Sequence, residues 1–321
     1  MTKRKLIPDD EIIVVLDTSP IRNLAHGAPP EWLDVFIEMS KSGYSFSLAD
    51  TTAGELMVQY RSGRIPHEGY EQMLVHLEKF LNPKVPIIPG KVDVELMIGI
   101  EHETYNIEET AFIALEAWRL LQSPNESDFS IGPPFEELIE EERSEWVRFL
   151  SNTAEHTYSY GLDISKMNPD DTANFLSSIT EQHLYPNIAI EPPMTTRMHL
   201  ELLYRFRQMA RTTLKKKPYD PRNKKKKNDG IDVDLYKYFI LPALVVADDS
   251  GFFNSIENID SFQKNWFFRP QELADTWQKG HKPKPIWPSN LTSTSNGTKT
   301  VGFIEVGDST AKLDHFFMAA P

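Results

Sequence analysis

The stretch IIVVLDTSPIRNL, Ile12 to Leu24, decides how this chain is read. Ile12 to Leu16 are five apolar residues with the length and β-branched character of a short buried strand. The run ends at Asp17, a carboxylate that needs a partner if it closes an apolar strand. Thr18 or Ser19 followed by Pro20 has the pattern of an N-cap and a first helical position. Strand, acid, helix is the opening unit of an α/β domain, and the rest of the chain repeats it in part.

Moving outward, Glu31 to Ser42 predicts a helix and Tyr44 to Leu48 a second strand. Thr51 or Thr52 predicts the start of a further helix, which carries Glu55 in its first turn. Tyr70, Met73, Leu74, Leu77 and Leu81 share one helical face, so Pro66 to Leu81 is predicted as an amphipathic helix. Val85 to Ile88 is a candidate third strand that its prolines confine to an edge or a loop. Val92 to Leu214 reads as mostly helical, with loops at Ser123 to Pro134, Met167 to Asp171 and Tyr185 to Thr196. Strand-like sequence returns at Ala243 to Ala247. Gly280 to Thr300 is rich in Lys, Pro, Ser, Thr and Asn and reads as loose, and Val301 to Val306 as one more strand. The expected fold is α/β: a parallel sheet flanked by helices, with a large, mostly helical insertion. In domain terms, residues 1–90 and 228–310 form a discontinuous core, 91–214 the insertion, 215–227 a basic loop and 311–321 a C-terminal tail.

Composition bounds the function. At 321 residues and 40% hydrophobic, the chain can bury a sizeable core. No apolar run reaches the roughly 18 residues of a membrane span. The opening MTKRKLIPDDE lacks the apolar stretch of a signal peptide. Cysteine is absent, which excludes disulfides and Cys zinc sites. The expectation is a cytoplasmic protein without a membrane partner. The net charge of −13 is unevenly spread. Between Arg205 and Lys227 there are eleven Lys and Arg against one acid, Asp220, leaving −23 for the remainder. A polyanion meets that local field rather than the average.

Carboxylates recur where the pattern ends its strands. Asp17 follows the first, Glu55 lies just past the second, and Asp248 and Asp249 follow the strand at Ala243. Asp229, Asp232 and Asp234 precede that strand on a predicted helix. In parallel sheets the working crevice lies beyond the carboxyl ends of the strands. Hard oxygen ligands of this kind suit Mg²⁺ or Mn²⁺. Two such ions, about 4 Å apart, activate a water and stabilise the leaving oxygen in phosphodiester cleavage.

These residues resemble the PIN-domain nucleases. The resemblance lies in VVLDTSPIRNL, SLADTTAGEL, NDGIDVDLYKY and LVVADDSGFF, and covers Ile12 to Met57 and Asn228 to Phe253, under a third of the chain. It implies a PIN-like core and a metal-dependent endonuclease, with RNA favoured over DNA and a role as toxin or in defence. Carried over, Asp17, Glu55 and Asp232 are the metal-binding carboxylates and Asp249 the fourth, with Asp229 replacing or assisting Asp232. Ser19 resembles the small hydroxyl residue that supports the first Asp. Family members carry Thr two residues before the last Asp; Ala247 stands there in this chain, so Asp248 and Asp249 remain alternatives. The resemblance also implies a homo-oligomer or an inhibitory or activating protein partner.

Plainer readings stand beside these. Thr52 and Glu55 fit a capping box, in which Glu satisfies free helix amides. Asp229 fits a turn before Gly230, Asp232 a helix N-cap, and Asp248 to Gly251 a polar turn. Lys215, Lys216, Lys217, Lys224, Lys225, Lys226 and Lys227 fit either a solvated loop or a phosphate-binding one, the latter giving salt-dependent affinity. Trp118 with Leu115 and Leu121 reads as core, and Glu136 to Glu145 as a solvated helix face. His102-Glu103 lacks the second His of a zinc-protease helix, and no phosphate-binding glycine loop is present. The rival functions are a non-catalytic nucleic-acid-binding or scaffold protein, and a phosphatase with an aspartate nucleophile. The latter needs a second Asp where this chain has Ser19.

Overall fold

The computed structural model describes residues 6–8, 10–88, 107–125, 135–159, 204, 208, 220–223, 225–226, 228–241, 243–257 and 262–285. Val301 to Val306, most of the basic segment and much of the helical middle lie outside the described residues. The chain divides into two compact units. One comprises Met1–Glu140, Lys237–Ser250 and Phe262–Pro285; the other comprises Glu141–Tyr236, Gly251–Ser261 and Ile286–Pro321.

The first unit holds a five-stranded, wholly parallel sheet. Its strands are β1 (Ile12–Leu16), β2 (Tyr44–Ala49), β3 (Ile87–Ile88), β4 (Ala243–Val246) and β5 (Phe267–Phe268), in the order β3-β2-β1-β4-β5. This is the α/β class read from the sequence, and it is consistent with a PIN-like core. The central β1 pairs Leu16 with Leu48 on one side and with Val246 on the other, so three strands end level. The short β3 and β5 form the edges, and Pro86 contributes only its carbonyl, accepting from Leu48 N at 2.8 Å. A proline at that edge costs no ladder bond.

Helices cover the sheet: α1 (Thr18–Asn23), α2 (Trp32–Ser40), α3 (Asp50–Arg61), α4 (His67–Leu77), α5 (Ile107–Gln122) and α9 (Pro270–Gln278). Every residue of β2 is buried, including Ser45 and Ser47. Both serines find partners: Ser47 Oγ donates to Val85 O, and Ser45 Oγ accepts from Asn82 Nδ2, each at 2.6 Å. Phe46 packs with Phe36 (ring centroids 4.8 Å apart) and edge-on to Phe80 (5.4 Å). A second aromatic group, Phe239 with Trp266 and Phe267, fills the other end of the sheet. The amphipathic helix predicted for Pro66 to Leu81 is α4; it ends at Leu77, and Tyr70 OH donates to Leu121 O of α5 at 2.7 Å. α5 belongs to the unit that contains the sheet, whereas the sequence reading groups it with the insertion. Of the predicted core trio on α5, Leu121 is fully buried but Leu115 is 45% exposed.

The second unit contains most of α6 (Phe135–Ser159), α7 (Asp229–Asp234) and most of α8 (Ser250–Ile256). Trp146, Tyr204, Tyr236 and Phe252 form a chain of ring contacts through it. Gly230 sits inside α7 rather than in a turn. A Cβ there would lie 2.6 Å from Trp146 Cβ, so glycine is what allows α7 to approach α6. A 3₁₀ turn, Leu235–Ile240, leads from α7 towards β4.

Candidate functional site

The carboxyl ends of β1, β2 and β4 lie side by side, and each is followed by an acid. Asp17 directly follows β1; its amide donates to Val246 O at 2.9 Å, tying it to β4. The carboxylate accepts from Ser19 Oγ at 2.9 Å and from Ser19 N at 3.4 Å, so Asp17 is itself the N-cap of α1. This replaces the expectation that Thr18 or Ser19 caps that helix. Burial pushes the Asp17 carboxyl above the ordinary carboxylate range. Hydrogen bonds from the Thr18 and Ser19 amides and the Ser19 hydroxyl oppose the shift, and the negative charge of Asp249 adds to it. Among the described residues no cationic side chain pairs with Asp17.

Ser19 links two strand ends. A hydroxyl has one proton to donate. Ser19 Oγ accepts from Asp248 N at 2.9 Å, and its own proton goes to Asp17. The supporting role expected of Ser19 therefore has a geometry, and a second Asp in its place would set an acceptor against an acceptor.

Glu55 is in the second turn of α3, because that helix begins at Asp50 rather than at Thr51 or Thr52. The capping-box reading is corrected accordingly. Thr52 lies within the helix, whose N-cap is Ala49, and donates its hydroxyl to Leu16 O at 3.0 Å. Instead Glu55 Oε2 accepts from Thr18 Oγ1 at 2.6 Å, which holds it one residue from Asp17.

Asp248 and Asp249 differ in their surroundings. Asp248 Oδ1 is 3.2 Å from Arg269 Nη1, and its Oδ2 is 3.5 Å from Asn23 Nδ2. Asp249 is exposed, and its charge is felt by Asp17.

The remaining predicted residues lie in the second unit. Asp229 opens α7 and is 7% exposed; Lys226 Nζ lies 3.6 Å from its Oδ2. Asp232 is the fourth residue of α7, not its N-cap, which is Asn228. Asp234 is buried. Lys225 is exposed, its amide donating to Asn223 Oδ1 at 3.0 Å. Lys215, Lys216, Lys217, Lys224 and Lys227 lie outside the described residues.

The sequence reading missed Arg269, Asn23 and a buried ion pair. Lys237, 2% exposed, donates to both oxygens of Asp50 at 2.7 and 2.9 Å, and Tyr238 OH donates to Asp50 Oδ1 at 2.7 Å. The pair ties the segment entering β4 to the first residue of the helix carrying Glu55. Its sequence signal is slight: one lysine inside an apolar, aromatic run, LYKYFI. Arg269 follows a strand of two residues, too short to show a period, although Pro270 marks the start of α9.

The donor chemistry, hard carboxylate oxygens, is of the kind that suits Mg²⁺ or Mn²⁺, and Asp17 has no side-chain cation paired with it among the described residues. Among the described residues no three His, Cys, Asp or Glu side chains stand together closely enough to hold a metal ion. No described helix is long and apolar enough to cross a membrane. Fold and site together define a parallel α/β domain with an acidic carboxyl edge. The chain matches no family model, no curated protein and no solved structure.

Proposed function

We propose that this protein is a metal-dependent endonuclease that hydrolyses phosphodiester bonds, with RNA favoured as substrate. The observation that carries the reading is Asp17. A half-buried carboxylate at the end of a central strand, held by Ser19 and paired with no cationic side chain among the described residues, is an arrangement that a metal would explain. Asp17 and Glu55 would hold Mg²⁺ or Mn²⁺ with water and substrate phosphate as its other ligands, and Asp249 adds negative charge at the same edge. When bound, such a metal supplies an activated water and stabilises the leaving oxygen. Ser19 fixes the Asp17 carboxylate through Oδ2, and Thr18 fixes Glu55, so that two acids approach the same edge in set orientations. The lysine-rich sequence 215–227 would give the protein salt-dependent affinity for phosphates. A toxin or defence role and a protein partner that restrains cutting belong to the same proposal, by the resemblance in the sequence.

The test is cleavage of labelled single-stranded RNA, single-stranded DNA and duplex DNA by wild type and Asp17→Asn, each with Mg²⁺, Mn²⁺ or EDTA. Cutting that needs both metal and Asp17 is expected, fastest on RNA. Binding without cutting on all three substrates would make this a nucleic-acid-binding protein. A trapped covalent phosphoenzyme would make it a phosphatase.

A further inference from the structure

A helix on the outside of a domain is apolar where it meets the core and polar where it meets water. α5 departs from this pattern. Thr110, Ala114 and Leu121 are buried, and Tyr70 OH donates to Leu121 O, so one side of the helix is docked. At 3.6 residues per turn the opposite side carries Glu108, Phe112, Leu115 and Arg119, and all four are exposed. Among the described residues three large apolar side chains are exposed, and two of them lie on this stripe: Phe112 at 55% and Leu115 at 45%.

The stripe is self-complementary. Its residues are spaced four, three and four apart, so Glu108 and Arg119 flank at equal distances the midpoint between Phe112 and Leu115. Two copies of the helix laid antiparallel about that midpoint set Phe112 of each against Leu115 of the other. The same pairing sets Glu108 of each against Arg119 of the other, whereas a parallel pair would set like charge against like. This is the isologous contact of a two-fold dimer, in which every pairing occurs twice. The charges also suit the helix dipole, with acid in the first turn and base in the last. That accounts for Glu108 and Arg119 but not for the apolar pair between them. Arg119 Nε donates to Glu116 Oε2 at 3.0 Å within the helix. A guanidinium has five donors, so it can bind a second carboxylate and keep the first.

We propose that the outer face of α5 docks a second copy of this chain, antiparallel, through Phe112 and Leu115, with Glu108 and Arg119 setting the direction. Two apolar side chains per copy make a small contact, so the dimer is reversible rather than obligate. The charges contribute orientation more than affinity. Dimer formation requires none of the chemistry proposed for Asp17 and Glu55.

Sedimentation equilibrium of the full chain, from about 1 µM to 1 mM, tests this. The proteins compared are wild type, Phe112→Ser/Leu115→Ser, Glu108→Arg, Arg119→Glu and Glu108→Arg/Arg119→Glu, with the melting temperature of each read at the lowest concentration. Wild type is expected to pass from monomer to dimer across the range. The serine variant should weaken association by about tenfold or more with melting temperature unchanged. Each single charge variant should weaken association, and the double charge variant should regain it. An equimolar mixture of Glu108→Arg and Arg119→Glu should associate more tightly than either alone, which no repair of the helix itself can produce. A wild type that stays monomeric at the highest concentration overturns the proposal and leaves the face to a different protein. A lower melting temperature in the serine variant also overturns it, because this chain's own residues would then cover the face. Association that survives in the serine variant places the contact elsewhere, and a mixture no tighter than its components removes the antiparallel register.

Discussion

At Asp17 desolvation and the hydrogen bonds of the Ser19 cap act in opposite directions. Its carboxyl is raised above the ordinary range, chiefly by burial. A raised folded-state value means that the stabilising contribution is fully present below the unfolded value and is lost as pH rises through the folded one. The ionised group thus opposes folding at neutral pH. Asp17→Asn should raise the melting temperature at pH 7, since the amide oxygen can still accept from Ser19. Mg²⁺ or Mn²⁺ should raise the melting temperature of wild type and leave that of the variant unmoved. Scanning calorimetry of both proteins with and without metal checks this, and a variant less stable than wild type would return Asp17 to a structural role. The sequence showed this residue plainly, because a charge ending a five-residue apolar run is rare enough to read alone. It did not show whether Glu55 caps its helix. That depends on where α3 starts, and Asp50 starts it earlier than the two threonines indicate.

Among the elements, those with a clear period were legible and those set by tertiary contact were not. β1, β2, β4 and α4 follow from apolar runs and spacing. β5 has two residues, and its position was fixed by Val245 and Val246 rather than by its own sequence. The Asp50–Lys237 pair was equally hidden, being a contact across the chain. Removing one partner of a buried pair leaves the other uncompensated. Lys237→Met should cost roughly 3 kcal/mol, near the low end for such a loss because Asp50 keeps some exposure. Adding Asp50→Asn should restore most of it, as read by urea denaturation. In α7 the close approach to Trp146 requires glycine, so Gly230→Ala should cost about 1–3 kcal/mol by overpacking. A neutral effect on urea denaturation would place Gly230 back in the turn that the sequence implied.

At the scale of the molecule, charge averages mislead and local environments decide. The net charge of −13 gives no hint of the eleven-cation segment, nor of a histidine buried in α4. Burial lowers the pKa of His76, assisted by Lys79 and opposed by Asp34. Its Nδ1 has no hydrogen-bond partner among the described residues. As pH falls, the unfolded chain takes up this proton first, so the stability it contributes is present above the unfolded value of 6.5 and is lost as pH falls through the lower folded value. Urea midpoints measured from pH 7.5 downward should therefore decline below about 6.5, and His76→Gln should flatten that part of the curve.

The strand order also sets a timetable for biosynthesis. Val15 is laid down early but pairs with Val245, and Asp17 with the carbonyl of Val246. At about 5–20 residues per second, the intervening chain takes on the order of tens of seconds to emerge from a ribosome. Through that interval one hydrogen-bonding edge of β1 awaits its neighbour, a target for chaperones. No nascent fragment ending before β4 can bring Asp17 together with the Asp248 corner, so anything that needs both arises only once synthesis has passed β4.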